Sequence, residues 1–194
     1  MPLPADKGIV AISTVLILFA HPAVESSRVN RPMIEAVTEV EGVTVHDLYE
    51  AYPDFDIDIR REQGLVALHD IIVWHHPMRW YNCPALLKEW LDVVLTRGWA
   101  YGEDATALIG KRAMSAVSTG GSAHAFTPKG SSHRVIGDYL ASFEQTAHLC
   151  GMHYLEPFVL HGTHRARDAE IHDHAQAYRD RILSLRDSIG ESVG

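Results

Sequence analysis

Three short stretches of this chain carry residues suited to holding a phosphorylated, planar ligand. Ser26-Ser27-Arg28-Val29-Asn30 offers hydroxyls and a guanidinium, and it sits where the apolar pattern predicts a helix start. Free backbone N–H groups at such a start bind anions, although Ser and Asn there also serve as plain helix caps. Met78-Arg79-Trp80-Tyr81 supplies aromatic surface and main-chain donors beside a proline-bounded turn. It can equally be a half-buried cover over a sheet edge. Ser118-Thr119-Gly120-Gly121 places two glycines after an apolar run. Without Cβ atoms the backbone there can approach a flat ligand, or simply turn tightly.

Other chemistries find less support. The chain contains neither GxGxxG nor GxxxxGK[ST], so it has no dinucleotide fingerprint and no nucleotide-hydrolysing phosphate loop. Its 13 histidines invite a metal site, but no HExxH motif and no His–carboxylate set at metal-ligand spacing occurs, and no metal is expected. His21 follows the first apolar run, as a ligand contact or as a structural cap. Cys83 beside Pro84 reads as packing rather than as a nucleophile. Cys83 and Cys150 lie far apart and outside any CxxC pair, which argues for a reduced cytoplasmic setting rather than a disulfide framework.

The elements that must position these stretches follow from periodicity. Residues 14–20 form a near-continuous apolar strand of the kind buried on both faces of a parallel sheet, and a helix follows to about residue 40. Residues 43–48 alternate and belong nearer an edge. The stretch YEAYPDFDIDIRRE has little periodicity and reads as a long loop entering a helix near residues 60–68. A third strand, residues 71–74, breaks at His75-His76-Pro77. A helix over residues 84–95 follows, with Pro84 in its first position and Leu86, Leu87, Trp90, Leu91 and Val94 on one face. A fourth strand spans residues 111–118. After a loop over residues 121–132 come a helix to about residue 150, a fifth strand over residues 152–160 with Pro157 at an edge or bend, and a final helix over residues 169–189.

Five strands alternating with helices, with no repeat or low-complexity linker, predict an α/β, three-layer sandwich around a five-stranded parallel sheet. The flavodoxin-like order 2-1-3-4-5 fits five units better than the six-strand dinucleotide fold. The loops after strands one, three and four then open on one edge. Together they describe flavin mononucleotide (FMN) better than a dinucleotide. One domain is expected over residues 14–190, with residues 1–13 a loose extension.

Composition bounds the partners. The chain has 194 residues, 46% hydrophobic and 22% charged, with a net charge of −8. That length suits one well-buried domain. The charge argues against a general nucleic-acid binder and against unaided adhesion to an anionic membrane. The apolar run at residues 9–20 is interrupted by Ser13-Thr14 and is shorter than the ~20 residues of a membrane-spanning helix. It leads into His21-Pro22 rather than a small-residue cleavage site.

AHP at 20–22, SRVN at 27–30, LYEAYPDFDID at 48–58, WHHPMRWYNCPALLKEWLD at 74–92, RGWAYG at 97–102 and STGG at 118–121 resemble the flavodoxin-fold NAD(P)H:quinone oxidoreductases. The nearest branch is that of the bacterial ancillary proteins of the glutathione-regulated potassium-efflux system, and the resemblance spans roughly residues 15–185. It implies non-covalent FMN rather than FAD, with ping-pong, two-electron transfer from NADH or NADPH to quinones. It also implies a cytoplasmic homodimer with its active site at the interface. Carried over, the cofactor contacts are His21, Ser27, Arg28, Val29, Asn30, Met78, Arg79, Trp80, Tyr81, Ser118, Thr119, Gly120 and Gly121. Trp99 and Tyr101 line the partner's substrate space, and His124 and Phe126 the substrate side. Animal relatives carry a tyrosine and then a histidine after the glycine turn. Here Phe126 stands near the tyrosine position, and His124 and His133 match the histidine only approximately. The chemistry is then the flavin's own, at its N5, with His124 and Tyr101 the remaining protein candidates.

The resemblance also leaves a second role open, that of a regulatory subunit on a membrane potassium-efflux transporter, held at the inner membrane through that partner. A one-electron carrier of flavodoxin type is a third, against which stands the absence of a phosphate loop rich in Ser, Thr and Gly.

Overall fold

The computed structural model describes residues 12–188. Its centre is a parallel sheet of β1 (Val15–Phe19), β2 (Val43–Asp47), β3 (Ile71–Pro77), β4 (Arg112–Ser118), β5 (His153–Tyr154) and β6 (Phe158–Leu160). The order is β2-β1-β3-β4-β5, with β6 also on β4, so the expected 2-1-3-4-5 arrangement is present. Helices α1 (Asn30–Glu35), α2 (Leu48–Ala51), α3 (Ile59–Ala67), α4 (Ala85–Val94), α5 (Ile136–Leu149) and α6 (Asp168–Asp187) complete the layers.

Strand periodicity divides the core in two. Val15, Ile17, Ile71, Val73, Met114 and Ala116 meet Val29, Met33, Ile171, Tyr178 and Ile182 on the α1/α6 side. Leu16, Leu18, Ile72, Trp74, Ala113 and Val117 meet Val66, Leu86, Leu87, Trp90, Leu140 and Phe143 on the other. All five residues of β1 are buried, as a central strand covered on both faces requires.

Four boundaries differ from expectation, each for a physical reason. β3 does not stop at Trp74 but runs through His75-His76-Pro77, paired with Ala116, Val117 and Ser118. Both imidazoles are buried on opposite faces, His75 against Phe19 and Tyr178 and His76 against Phe143. Pro84 is the N-cap of α4 rather than its first helical residue, with ψ at 150°. The expected fifth strand is split. From Tyr154 to Phe158 the chain advances four residues while its partner advances three, from Ala113 to Ala116. That extra residue is a bulge, and Pro157 lies within it. Finally, the YEAYPDF loop contains α2, started by the Asp47 carboxylate, which accepts from Tyr49 N–H at 2.9 Å and Glu50 N–H at 3.2 Å. Of the extension expected over residues 1–13, residues 1–11 lie outside the described residues. Ser13 N–H donates to the Arg186 carbonyl at 2.8 Å.

α2, α3 and α4 are joined to β2 through one buried carboxylate. Glu62 accepts from His46 Nε2 at 2.9 Å, Tyr52 Oη at 2.6 Å and Trp90 Nε1 at 2.7 Å. Burial alone would raise its pKa, but the three donors reverse that and hold the carboxyl below its ordinary value. We expect Glu62→Leu, which leaves three buried donors without an acceptor, to lower stability by about 3 kcal/mol or more. Glu62→Gln, which keeps one oxygen, should cost less. Urea midpoints at constant m-value measure both.

Candidate functional site

The carboxyl ends of β1, β3, β4 and β6 open on one edge of the sheet. A cleft of about 460 Å³ lies there, lined by Ser26 to Asn30 with His21, by Pro77-Met78-Arg79, by Ser118 and Gly120, and by Thr163 and His164. Its size lies in the range of cofactor pockets. The last pair was missed from sequence. Gly162-Thr163-His164 directly follows a strand on the same edge, which was the available signal. His164 stands against Gly120 so closely that a Cβ there would lie 2.6 Å from its Nε2.

Hydrogen-bond accounting shows which backbone donors are committed. Ser26 and Ser27 N–H groups close the 3-10 turn at Val24–Ser26, and Asn30 N–H donates to Ser27 Oγ at 3.0 Å. Met78 N–H is taken by the Ser118 carbonyl, and Thr119 N–H by that of Leu160. Among the described residues, Arg28, Val29, Trp80, Tyr81, Gly120 and Gly121 keep N–H groups with no protein acceptor. The helix after the first loop is only six residues long, so these discrete donors matter there more than a macrodipole.

The side chains divide similarly. Asn30 is buried and fully committed, its Nδ2 to Ser27 Oγ at 3.2 Å and Ser118 Oγ at 3.0 Å, its Oδ1 to His75 Nε2 at 3.2 Å. It positions neighbours rather than offering a free amide to a ligand. Thr119 Oγ1 donates to the Gly121 carbonyl and meets His161 Nδ1, which fixes the turn. His21 Nδ1 accepts from Ala23 N–H at 3.1 Å, so its neutral ring carries the proton on Nε2. Burial, then the charge of Arg79, depresses its pKa. Arg79 lines the cleft and has no carboxylate partner among the described residues, whereas Arg28 is held by Asp168 at 2.7 Å.

Trp80 and Tyr81 do not line the cleft. They are the central residues of a two-residue turn, closed by Arg79 N–H to Asn82 O at 2.7 Å and Asn82 N–H to Arg79 O at 2.9 Å. Their φ angles are 48° and 62°. A type I′ turn normally uses Asn-Gly, and two bulky residues in the left-handed region store strain. Trp80 is 95% exposed. Tyr81 stacks on Tyr139 at 5.2 Å, Phe126 meets Tyr139 edge-on at 5.8 Å and His161 at 5.2 Å, so an aromatic row flanks the cleft. Gly121 lies under Phe126. His124 is exposed on the 3-10 turn at Ala123–Phe126 and is not among the lining residues. Trp99 and Tyr101 pack against the α4/α5 layer, away from the cleft of their own chain. There Tyr101 shares a pocket with Cys83 and Cys150, whose thiols burial pushes up. Among the described residues no metal-binding cluster forms, and no helix is long and apolar enough to cross a membrane.

A doubly wound parallel sheet with a phosphate-sized first loop and a glycine turn on its switch-point edge defines a cofactor-binding α/β protein of flavodoxin type. Residues 13–182 match the family described as flavodoxin-like fold, and the chain belongs to it. It is 42% identical over 180 residues to the glutathione-regulated potassium-efflux system ancillary protein KefF of Klebsiella aerogenes, covering 90% of this chain and 97% of that one. Among solved structures it is similar to general stress protein 14 of Treponema denticola in complex with FMN, at 40% identity and TM-score 0.85, covering 89% and 99% of the two chains. An NADPH-quinone reductase from P. pentosaceus is 30% identical with TM-score 0.79, covering 91% and 99%. A structure described as a thermophilic tryptophan halogenase from Streptomycin violaceusniger is 43% identical with TM-score 0.85, covering 87% and 98%. The names in this neighbourhood therefore span more than one activity, and the cleft itself must carry the assignment.

Two outcomes follow from the site. Replacing Trp80-Tyr81 by Asn-Gly should raise stability by about 1 kcal/mol per relieved residue, read as a higher urea midpoint. The second concerns acid. Burial lowers the pKa of His75 to about 3 and of His76 to about 4, from 6.5. Below pH 6.5 the unfolded chain therefore binds protons that the folded chain refuses, and stability falls as pH drops toward 4. His76 Nε2 has no partner, so His76→Phe should fold well at pH 7. It should lose roughly 2 kcal/mol less than wild type between pH 7 and pH 5, by urea titration at both.

Proposed function

We propose that this protein is a flavin-dependent oxidoreductase that holds FMN in the three-loop cleft and passes electron pairs from NADH or NADPH to quinones. The observation that carries the reading is one cleft of cofactor size lined from all three loops, in which Arg28, Val29 and Gly120 hold unsatisfied N–H donors beside Arg79. That donor set fits the group. Ser27 with the Arg28 and Val29 N–H groups suits a phosphate. The Gly120 N–H and the Arg79 side chain suit the polar edge of a flat ring. FMN, when bound, supplies reversible two-electron redox chemistry.

The chain supplies position and charge. The Gly120 N–H and the Arg79 guanidinium lie at the cleft, where they could stabilise negative charge on a bound group. His21, neutral and with its proton on Nε2, can donate without competing as a second cation. Trp80 and Tyr81, projecting from the rim, give a second copy of the chain apolar surface to cover. In that homodimer Trp99 and Tyr101 would reach the partner's cleft. Substrates then meet a site closed by two subunits, in the alternating order of a ping-pong reaction.

A second reading is favoured by the relative from Klebsiella aerogenes, which matches nearly end to end: a role as an ancillary subunit of a potassium-efflux transporter. A cytoplasmic protein held at the inner membrane by that partner suits both readings. Anaerobic addition of NADH or NADPH to FMN-loaded protein should bleach the flavin band, and a quinone should restore it. Failure of both nucleotides to bleach it overturns the oxidoreductase reading and leaves the ancillary one, which co-purification with the transporter before and after flavin removal would check.

A further inference from the structure

We infer that Tyr178, His75 and Asn30 form a buried positioning relay that turns the hydroxyl hydrogens of Ser27 and Ser118 outward, so that the cleft receives a phosphate monoester. The inference deepens the FMN reading and rests on it. The relay begins on α6, 103 residues from its next member, with Tyr178 Oη 3.1 Å from His75 Nδ1. His75 Nε2 lies 3.2 Å from Asn30 Oδ1, and Asn30 Nδ2 reaches Ser27 Oγ at 3.2 Å and Ser118 Oγ at 3.0 Å. Tyr178 and His75 are 0% exposed, Asn30 3% and Ser118 4%.

Only one arrangement of protons satisfies this set. Burial keeps His75 neutral at physiological pH, so it carries a single N–H. Were that proton on Nδ1, it would donate to Tyr178 Oη. The phenol hydrogen, which has no other acceptor among the described residues, would then be stranded in the core. Asn30 would also have to turn its amide round. With the proton on Nε2, Tyr178 donates to Nδ1 and Nε2–H donates to Asn30 Oδ1. Both Asn30 Nδ2 hydrogens then go to serine oxygens. No donor of Tyr178, His75 or the Asn30 amide is then left over.

The serines end the chain of donors. Ser27 Oγ accepts twice, from Asn30 N–H and Nδ2, and Ser118 Oγ accepts once. Neither hydroxyl hydrogen has an acceptor among the described residues, and both side chains line the cleft. Each donor along the series polarises the next, so the pair presents strengthened donors to whatever occupies that end. A phosphate monoester, rich in acceptors, fits; a neutral hydroxyl chain gains much less. The oxygen and nitrogen ends of Asn30 are nearly isosteric, and Tyr178 is the group that breaks the tie.

Two measurements test this. Long-range 1H–15N NMR of the apo protein should report the Nε2–H tautomer for His75; the Nδ1–H tautomer overturns the relay. Binding by flavin fluorescence should show Tyr178→Phe weakening FMN about tenfold while leaving riboflavin, which lacks the phosphate, within twofold of wild type. Ser118→Ala, which removes an outward donor and leaves the relay's core intact, should show the same preference. Equal losses for FMN and riboflavin in both variants would mean a merely structural role and overturn the inference. If the wild-type protein binds neither flavin, the FMN reading itself fails and takes the phosphate ligand with it. The nitrogen spectrum still reports separately whether the relay runs in the assigned sense.

Discussion

Asn30 is a neutral side chain that both gives and takes hydrogen bonds, and the structure uses both its amide hydrogens and its oxygen. It joins the loop after β1, the end of β4, the middle of the buried β3 and, through His75, the long helix α6. Ladder bonds join β3 to β4 and Arg28 ties the first loop to Asp168, but only Asn30 brings all four parts to one side chain. A polar network that is fully satisfied adds specificity, and a partly satisfied one would be worse than none. The cleft floor therefore depends on a few directional bonds whose inner members, Tyr178, His75 and Asn30, are buried.

The charge distribution follows the same logic. The chain carries a net charge of −8, yet its cleft lining holds Arg28 and Arg79 and no carboxylate. A locally positive recess on an acidic protein steers anionic ligands to one place and repels them elsewhere. Histidines illustrate how far context decides a residue's role. His75 and His76 are neutral core residues, His46 serves the Glu62 carboxylate, His21 faces the cleft, and His164 walls it.

Much of the fold was legible because it rests on periodicity. The β-branched runs and amphipathic helices set the layers, and the three loops on one edge followed from the parallel topology. What was missed involves bonds between residues far apart in sequence. His75-His76-Pro77 reads as a strand break, because two imidazoles and a proline oppose strand formation locally, while Tyr178 and Phe143 compensate from elsewhere. Glu62 looks like one more charge on an exposed helix until its three donors are assembled. The site was legible by loop, less so by atom. Asn30 was expected as a ligand donor; it lines the cleft with its amide engaged by Ser27 and Ser118, bonds no local pattern announces. Thr163 and His164 were hidden because the edge strand seemed to end the story.

That edge strand has its own consequence. The extra residue between β5 and β6 reverses which face of the sheet each later side chain meets, and Pro157 removes a ladder donor at the same place. An edge interrupted in this way cannot serve as a continuous template for a foreign strand. The protein can thus keep one side of its sheet uncovered by any further strand without inviting fibrous association. Pairing resumes through Leu160, and Thr163 and His164 beyond it complete the wall of the cleft.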